Sequence, residues 1–145
     1  CACSAERLPR VAPVVIMLLE HDGRALLGRG KGWPEQRYSA LAGFVEPGES
    51  IEEAVAREVF EEAGVRVGGV RYIASQPWPF PSSLMMACIA VAEDDALTID
   101  TSELEDAIWV SRADVRAVMA GGAGPFLPAP PYAIAHTLLT HWANG

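Results

Sequence analysis

One stretch constrains the fold more than any other: Gly43–Val65, GFVEPGESIEEAVAREVFEEAGV. Ser50 followed three residues later by Glu53 is a capping box, so a helix opens at Ile51. Ile51, Val55 and Val59, with Ala54 and Phe60 beside them, form an apolar stripe, and Gly64 supplies the left-handed residue that ends the helix. Glu58, Glu61 and Glu62 fall at i, i+3 and i+4 and share one face of the last turn. The helix dipole is negative there, so each acid is unfavourable by roughly 0.3–1 kcal/mol, and the acids repel one another as well. A helix built for stability alone would carry Lys or Arg at this end. The three glutamates fit either a solvated acidic face or a platform for a hard divalent cation such as Mg²⁺.

Around this helix the chain alternates strand and helix signals. Residues 13–19 (PVVIMLL) read as a buried strand, and His21-Asp22-Gly23 as a turn into a hairpin partner, RALLGRG. Gly30–Gln36 reads as a loop and Tyr38–Val45 as a short strand. Further strands are expected near Val70–Ala74, Leu84–Ala92 and Ile108–Val110. A short helix follows near Arg112–Met119, then the loop Gly121–Pro131 and a last amphipathic helix, Tyr132–Trp142. The 145 residues carry no repeat, low-complexity tract or linker, so they describe one α/β sandwich around a mixed sheet.

Composition removes several functions. Half of the residues are hydrophobic and 21% are charged, which suits a packed core. The net charge is −8 and there is no dense Lys/Arg run, which disfavours binding to a nucleic-acid phosphate backbone. A bound cation would still admit an anionic substrate. No apolar run is long enough to span a membrane and no signal peptide is visible, so a cytoplasmic location is the default. Cys1, Cys3 and Cys88 give no disulfide framework, and Cys88 in LMMACIAVA reads as a small core residue. His21, His136 and His141 show no ligand spacing with the acids.

Ser75–Ser83, SQPWPFPSS, is too proline-rich for an ordinary strand or helix and reads as a loop or sheet edge holding two large aromatics. Trp78 and Phe80 fit a core corner, a subunit contact or a grip on a flat ligand.

Two of these stretches resemble a known family. Gly43, five residues, Glu49, seven residues, then Arg57-Glu58-Val59-Phe60-Glu61-Glu62-Ala63-Gly64-Val65 resembles the Nudix box at every fixed position. SQPWPFPSS resembles the SQPWPFPxS signature that follows the box in the NADH pyrophosphatase (NADH diphosphatase, NAD-capped RNA hydrolase) branch. Glu103 in ELEDAIW falls at the place of a further acidic metal ligand. Ala133-Ile134-Ala135 is similar to the branch's Ser-Ile-Ala segment, with alanine for the serine.

The resemblance implies a Nudix fold, an α/β/α sandwich. It also implies metal-dependent hydrolysis of NAD(H) to NMN(H) and AMP, with removal of NAD caps from RNA 5′ ends as a related activity. Glu58, Glu61, Glu62 and Glu103 would bind Mg²⁺ or Mn²⁺, and Glu62 or Glu61 would take the proton of the attacking water. Glu49 and Arg57 would pair to brace the loop and helix, and Gly43 would allow a close turn. Phe44 would stack on a base, and Gln76, Trp78, Phe80, Ser83 and Ala135 would shape the substrate pocket.

By the same resemblance, residues 1–10 are the remnant of a zinc ribbon and arm, residues 11–145 are the hydrolase domain, and the protein is a homodimer. Cys3 matches the ribbon's last cysteine. Two cysteines cannot complete a tetrahedral site, so an intact zinc site is not expected. Leu8 stands where the branch has a tyrosine that stacks on the base from the other subunit. A broader Nudix hydrolase acting on ADP-ribose or other nucleoside diphosphates is the nearest alternative. A non-catalytic module that binds NAD-like ligands is a third reading, and the full set of glutamates argues against it.

Overall fold

The computed structural model describes residues 4–6 and 8–145; Cys1 and Cys3, and with them the zinc-ribbon expectation, lie outside the described residues. Six strands form one mixed sheet: β1 (Ala12–His21), β2 (Arg24–Gly30), β3 (Leu41–Phe44), β4 (Val67–Trp78), β5 (Ser83–Ala92) and β6 (Leu104–Ser111). Its order is β4-β5-β1-β2-β6, with β3 pairing β1 beside this path. β1 and β5 run parallel and the other pairs are antiparallel.

The continuous apolar run of β1 has a direct cause, since both its faces are buried. Val15, Met17 and Leu19 pack towards α1 (Ile51–Ala63), meeting Val55 and Val59. Ile16 and Leu18 point the other way, into a core completed by α2 (Arg112–Met119) and α3 (Ile134–Asn144) through Val115, Leu138 and Leu139. The result is one helix, a sheet and a helix pair, the α/β/α sandwich expected from the sequence.

α1 has the caps expected of it. The Ser50 hydroxyl accepts from the Glu53 backbone N–H at 3.1 Å, and the Glu53 carboxylate accepts from the Ser50 N–H at 3.2 Å. Gly64, at φ 70°, donates to the Phe60 carbonyl at 3.0 Å. The next carbonyls are satisfied by the segment that follows β5: Ala63 accepts from the Thr98 N–H at 2.8 Å, and Glu62 from that of Asp100 at 2.9 Å. This stitch draws Asp100 to the acidic end of the helix.

Ser75–Trp78, expected as a loop or sheet edge, is the sheet edge: β4 runs on through Pro77, which pairs with Leu84. β4 has β5 as its single partner, and an edge strand tolerates a proline. Three expectations need correction. The strand expected at Tyr38–Val45 is regular over Leu41–Phe44 alone. Tyr132 lies before α3, where Ala133 is the N-cap. Phe60 leaves the apolar stripe and is 52% exposed, with the Arg66 guanidinium 5.7 Å from its ring centroid.

Candidate active site

Two cavities meet at Ala42 on β3. The first, about 690 Å³, is an acidic cleft whose walls include Glu58, Glu61, Glu62, Asp100, Glu103 and Arg57. α1 presents the first three glutamates by its 3.6-residue period, and the turn before β6 brings Glu103 across from them. β3 closes over the helix at Gly43, where any side chain would run into the Glu58 carboxyl group. That close approach is why glycine stands there.

Arg57 ties the cleft together. Its Nε and Nη2 donate to the two Glu49 carboxylate oxygens at 2.7 and 2.8 Å, a bidentate pair. Nη2 also reaches the Phe44 carbonyl at 2.9 Å, and Nη1 reaches Glu58 at 2.8 Å and Glu61 at 3.3 Å. Glu49 in turn accepts from the Glu46 N–H at 2.8 Å. The hydrogen bonds from Arg57 and the Glu46 backbone hold the Glu49 carboxyl down at about 2.

Glu62 is the buried member of the set, 8% exposed. Burial, and then the neighbouring Glu58, Glu103, Glu61 and Asp100, push its carboxyl up to about 7. Burial likewise raises Glu58 above the ordinary range, against the pull of Arg57. Two buried carboxyls raised beside further acids mark a field suited to a divalent cation, whose hard charge prefers carboxylate oxygens. Among the described residues, no three acidic, His or Cys side chains stand in metal-holding geometry. Glu58 and Glu61 turn to Arg57 instead. The carboxylate donors that line this cleft fit the cation, and here Glu58 and Glu61 are paired with Arg57.

The second cavity, about 610 Å³, is apolar and aromatic, with Trp33, Trp78, Tyr132, Ala133, Ile134 and Ala135 in its wall. Trp78 and Tyr132 are near parallel, at 14° with centroids 6.4 Å apart, and Phe80 stands edge-on to Trp78 at 5.4 Å. Gln76 Nε2 donates to the Tyr132 carbonyl at 2.7 Å, fixing the loop that carries Tyr132 against β4. α3 begins here without a side-chain cap because Ala133 has no oxygen to offer, so the first N–H groups of the helix border the cavity.

The residues picked out from the sequence thus divide between the two cavities. Glu58, Glu61, Glu62, Glu103, Gly43, Arg57 and Phe44 border the acidic cleft; Trp78 and Ala135 border the apolar one. Glu49 and Gln76 act from behind through hydrogen bonds. Phe80, 71% exposed at the hairpin tip, and Ser83, paired with Ala12 and Trp78, border neither. Sequence reasoning missed Trp33, Arg37, Asp100 and Tyr132. Trp33 stands in the expected loop Gly30–Gln36 and Tyr132 was expected in the last helix, and nothing local shows that the two segments converge.

A mixed sheet between an acid-bearing helix and a helix pair, with an acidic cleft beside an apolar, aromatic pocket, defines the class of domain. A family model described as NUDIX domain matches residues 8–129. The chain belongs to the Nudix family. It is 53% identical over 137 residues to the NAD-capped RNA hydrolase NUDT12 of Macaca fascicularis, covering 92% of this chain and 30% of that protein. It is 50% identical over 120 residues to the NAD-capped RNA hydrolase NudC of Mycobacterium bovis, covering 81% and 38%. The chain therefore spans about a third of the length of the curated relatives it matches. A NUDIX hydrolase from Nitrosomonas europaea superposes with a TM-score of 0.76 at 21% identity, over 98% of this chain and 75% of that one. The NUDIX domain of Shewanella oneidensis NrtR, solved with ADP ribose, gives 0.66 at 20% identity, over 94% and 88%. At these identities the structures share the fold alone.

Proposed function

We propose that this domain hydrolyses the pyrophosphate of NAD(H), giving NMN(H) and AMP, and acts in the same way on NAD caps at RNA 5′ ends. One observation carries the reading: the acidic cleft and the aromatic pocket are contiguous at Ala42. A dinucleotide has the matching layout, a pyrophosphate flanked by flat rings. The names of the relatives support the same substrate class.

Glu58, Glu61, Glu62 and Glu103 would hold Mg²⁺ or Mn²⁺, which neutralises pyrophosphate charge and polarises the phosphorus under attack. The chain's own groups do the rest. Water attacks one phosphorus and the bridging oxygen leaves with the other phosphate. The water's proton passes to a carboxylate oxygen of Glu61 or Glu62. Arg57, fixed by Glu49, pairs with Glu58 and Glu61 in the wall of the cleft. Trp78 and Tyr132 seat one ring so that the pyrophosphate lies over the acids, and Phe44 offers its 62% exposed ring to the other side of the cleft. A homodimeric state belongs to this reading and rests on the family resemblance alone.

The test is product analysis. The protein is incubated with Mg²⁺ or Mn²⁺ and NADH, NAD⁺ or ADP-ribose, and products are separated by chromatography, with Glu62→Gln as control. AMP and NMNH formed fastest from NADH support the reading. Faster cleavage of ADP-ribose than of either dinucleotide overturns it in favour of a broader Nudix hydrolase.

A further inference from the structure

The apolar pocket contains one charged side chain, Arg37. Its Nε is buried and has no hydrogen-bond partner. Arg24, Arg29, Arg57, Arg71 and Arg112 each lie within 3.9 Å of a carboxylate, whereas Arg37 forms no such pair among the described residues. Its backbone is pinned on both sides: the Arg37 N–H donates to the Pro34 carbonyl at 2.9 Å, and the Leu127 N–H donates to the Gln36 carbonyl at 2.7 Å. A guanidinium that lines a ring pocket, with its Nε buried and unsatisfied, is costly unless a ligand repays it.

The aromatic walls make this cation informative. Trp33, Trp78 and Tyr132 would by themselves favour a positively charged ring, because aromatic faces attract cations. The acids beyond Ala42 pull the same way. Arg37 opposes both: it repels a cationic ring and offers N–H donors to a neutral ring bearing an acceptor oxygen. The two redox states of a nicotinamide ring differ in this respect. The oxidised ring carries a positive charge, the reduced ring is neutral, and both bear a carboxamide oxygen.

We propose that Arg37 is the specificity-determining residue of the ring pocket, selecting the neutral, reduced dinucleotide over the oxidised one. This rests on the NAD(H) reading of the site. Arg37 touches no reacting atom; it acts on which ring is seated.

The test compares kcat/KM for NADH and NAD⁺ in the wild type, Arg37→Met and Arg37→Lys, with Mg²⁺ present. Wild type should favour NADH. Arg37→Met should lower the NADH/NAD⁺ ratio on the order of tenfold, the scale of losing a nearby like charge in a half-exposed site. Part of that change should come from faster NAD⁺ cleavage. Arg37→Lys, which keeps the charge, should hold most of the wild-type ratio; a merely structural role would not distinguish the two variants this way. A ratio that moves less than twofold in Arg37→Met overturns the proposal while leaving hydrolysis intact. Dissociation constants for NADH and NAD⁺, measured by calorimetry on the same three proteins, give the same ratio without turnover. If the wild type cleaves neither dinucleotide, the hydrolase reading fails and the binding ratio still decides the role of Arg37.

Discussion

Arg57 and Glu49 meet through two parallel hydrogen bonds, 2.7 and 2.8 Å, across the turn that joins β3 to α1. The same guanidinium reaches the Phe44 carbonyl, Glu58 and Glu61, so one side chain fixes a loop, a strand end and two cleft acids. Lysine has neither the fork nor the reach for this set. Arg57→Lys should keep the fold, lower Tm by a few degrees and reduce kcat/KM for NADH by at least tenfold. Thermal unfolding and steady-state kinetics check both; an unchanged kcat/KM would contradict the bracing role.

A methyl at Gly43 would lie within 2.5 Å of the Glu58 carboxyl group, so that side chain would have to swing aside. Gly43→Ala should displace Glu58 and cut kcat by about a hundredfold, the scale expected when a ligand shifts by an ångström. Circular dichroism should show the secondary structure retained. Mg²⁺ affinity, read by calorimetry, should fall with the rate.

The pH dependence of metal-free stability follows from Glu62. Its carboxyl rises from 4.5 in the unfolded chain to about 7 in the fold, so the fold holds the proton more tightly. The associated stability is complete below 4.5 and is lost as pH rises through 7. Glu58 is raised in the same direction. Glu49, Asp95 and Asp100 are lowered, so their contributions are lost only as pH falls through their own low range. Between pH 5.5 and 8.5 the chelated protein should therefore lose on the order of 2–3 kcal/mol, at about 1.4 kcal/mol per unit of pKa shift. Urea midpoints in EDTA measure this, and Glu62→Gln should flatten the curve. A wild-type midpoint that rises with pH would contradict the assignment.

Trp78 and Phe80 occupy one signature but different environments: Trp78 borders the pocket and Phe80 is 71% exposed outside it. Loss of a stacking ring should cost about 1–3 kcal/mol. Trp78→Ala should accordingly raise KM for NADH by roughly five- to hundredfold, and Phe80→Ala by a few-fold at most, through looser packing of Trp78. Equal effects would mean that the hairpin acts as one packed unit.

Much of this architecture is legible in the sequence because its causes are local. The limits of α1 are written in Ser50, Glu53 and Gly64, which make their contacts within a few residues. α2 follows from Ser111, whose hydroxyl caps the Asp114 N–H at 3.1 Å. β1 is apolar from Ala12 to Leu19 because helices cover both its faces. What stayed hidden depends on topology. SQPWPFPSS left loop and sheet edge open, and the choice was made by topology, which puts Pro77 on the last strand of the sheet. Asp100 reaches the acidic cleft through backbone bonds from its segment to the end of α1. Trp33, Arg37 and Tyr132 belong to loops that meet only after the sheet has formed.

The central claim is that the glutamates of α1, with a divalent cation, cleave the pyrophosphate of a dinucleotide seated in the adjoining aromatic pocket. It is tested most directly by following AMP and NMNH release from NADH as Mg²⁺ is raised from zero, for wild type and Glu62→Gln. The account predicts equimolar AMP and NMNH, saturation with Mg²⁺, no product in chelator, and a loss of at least a hundredfold in the variant. Cleavage that persists without a divalent cation, or that is equally fast in Glu62→Gln, would contradict it.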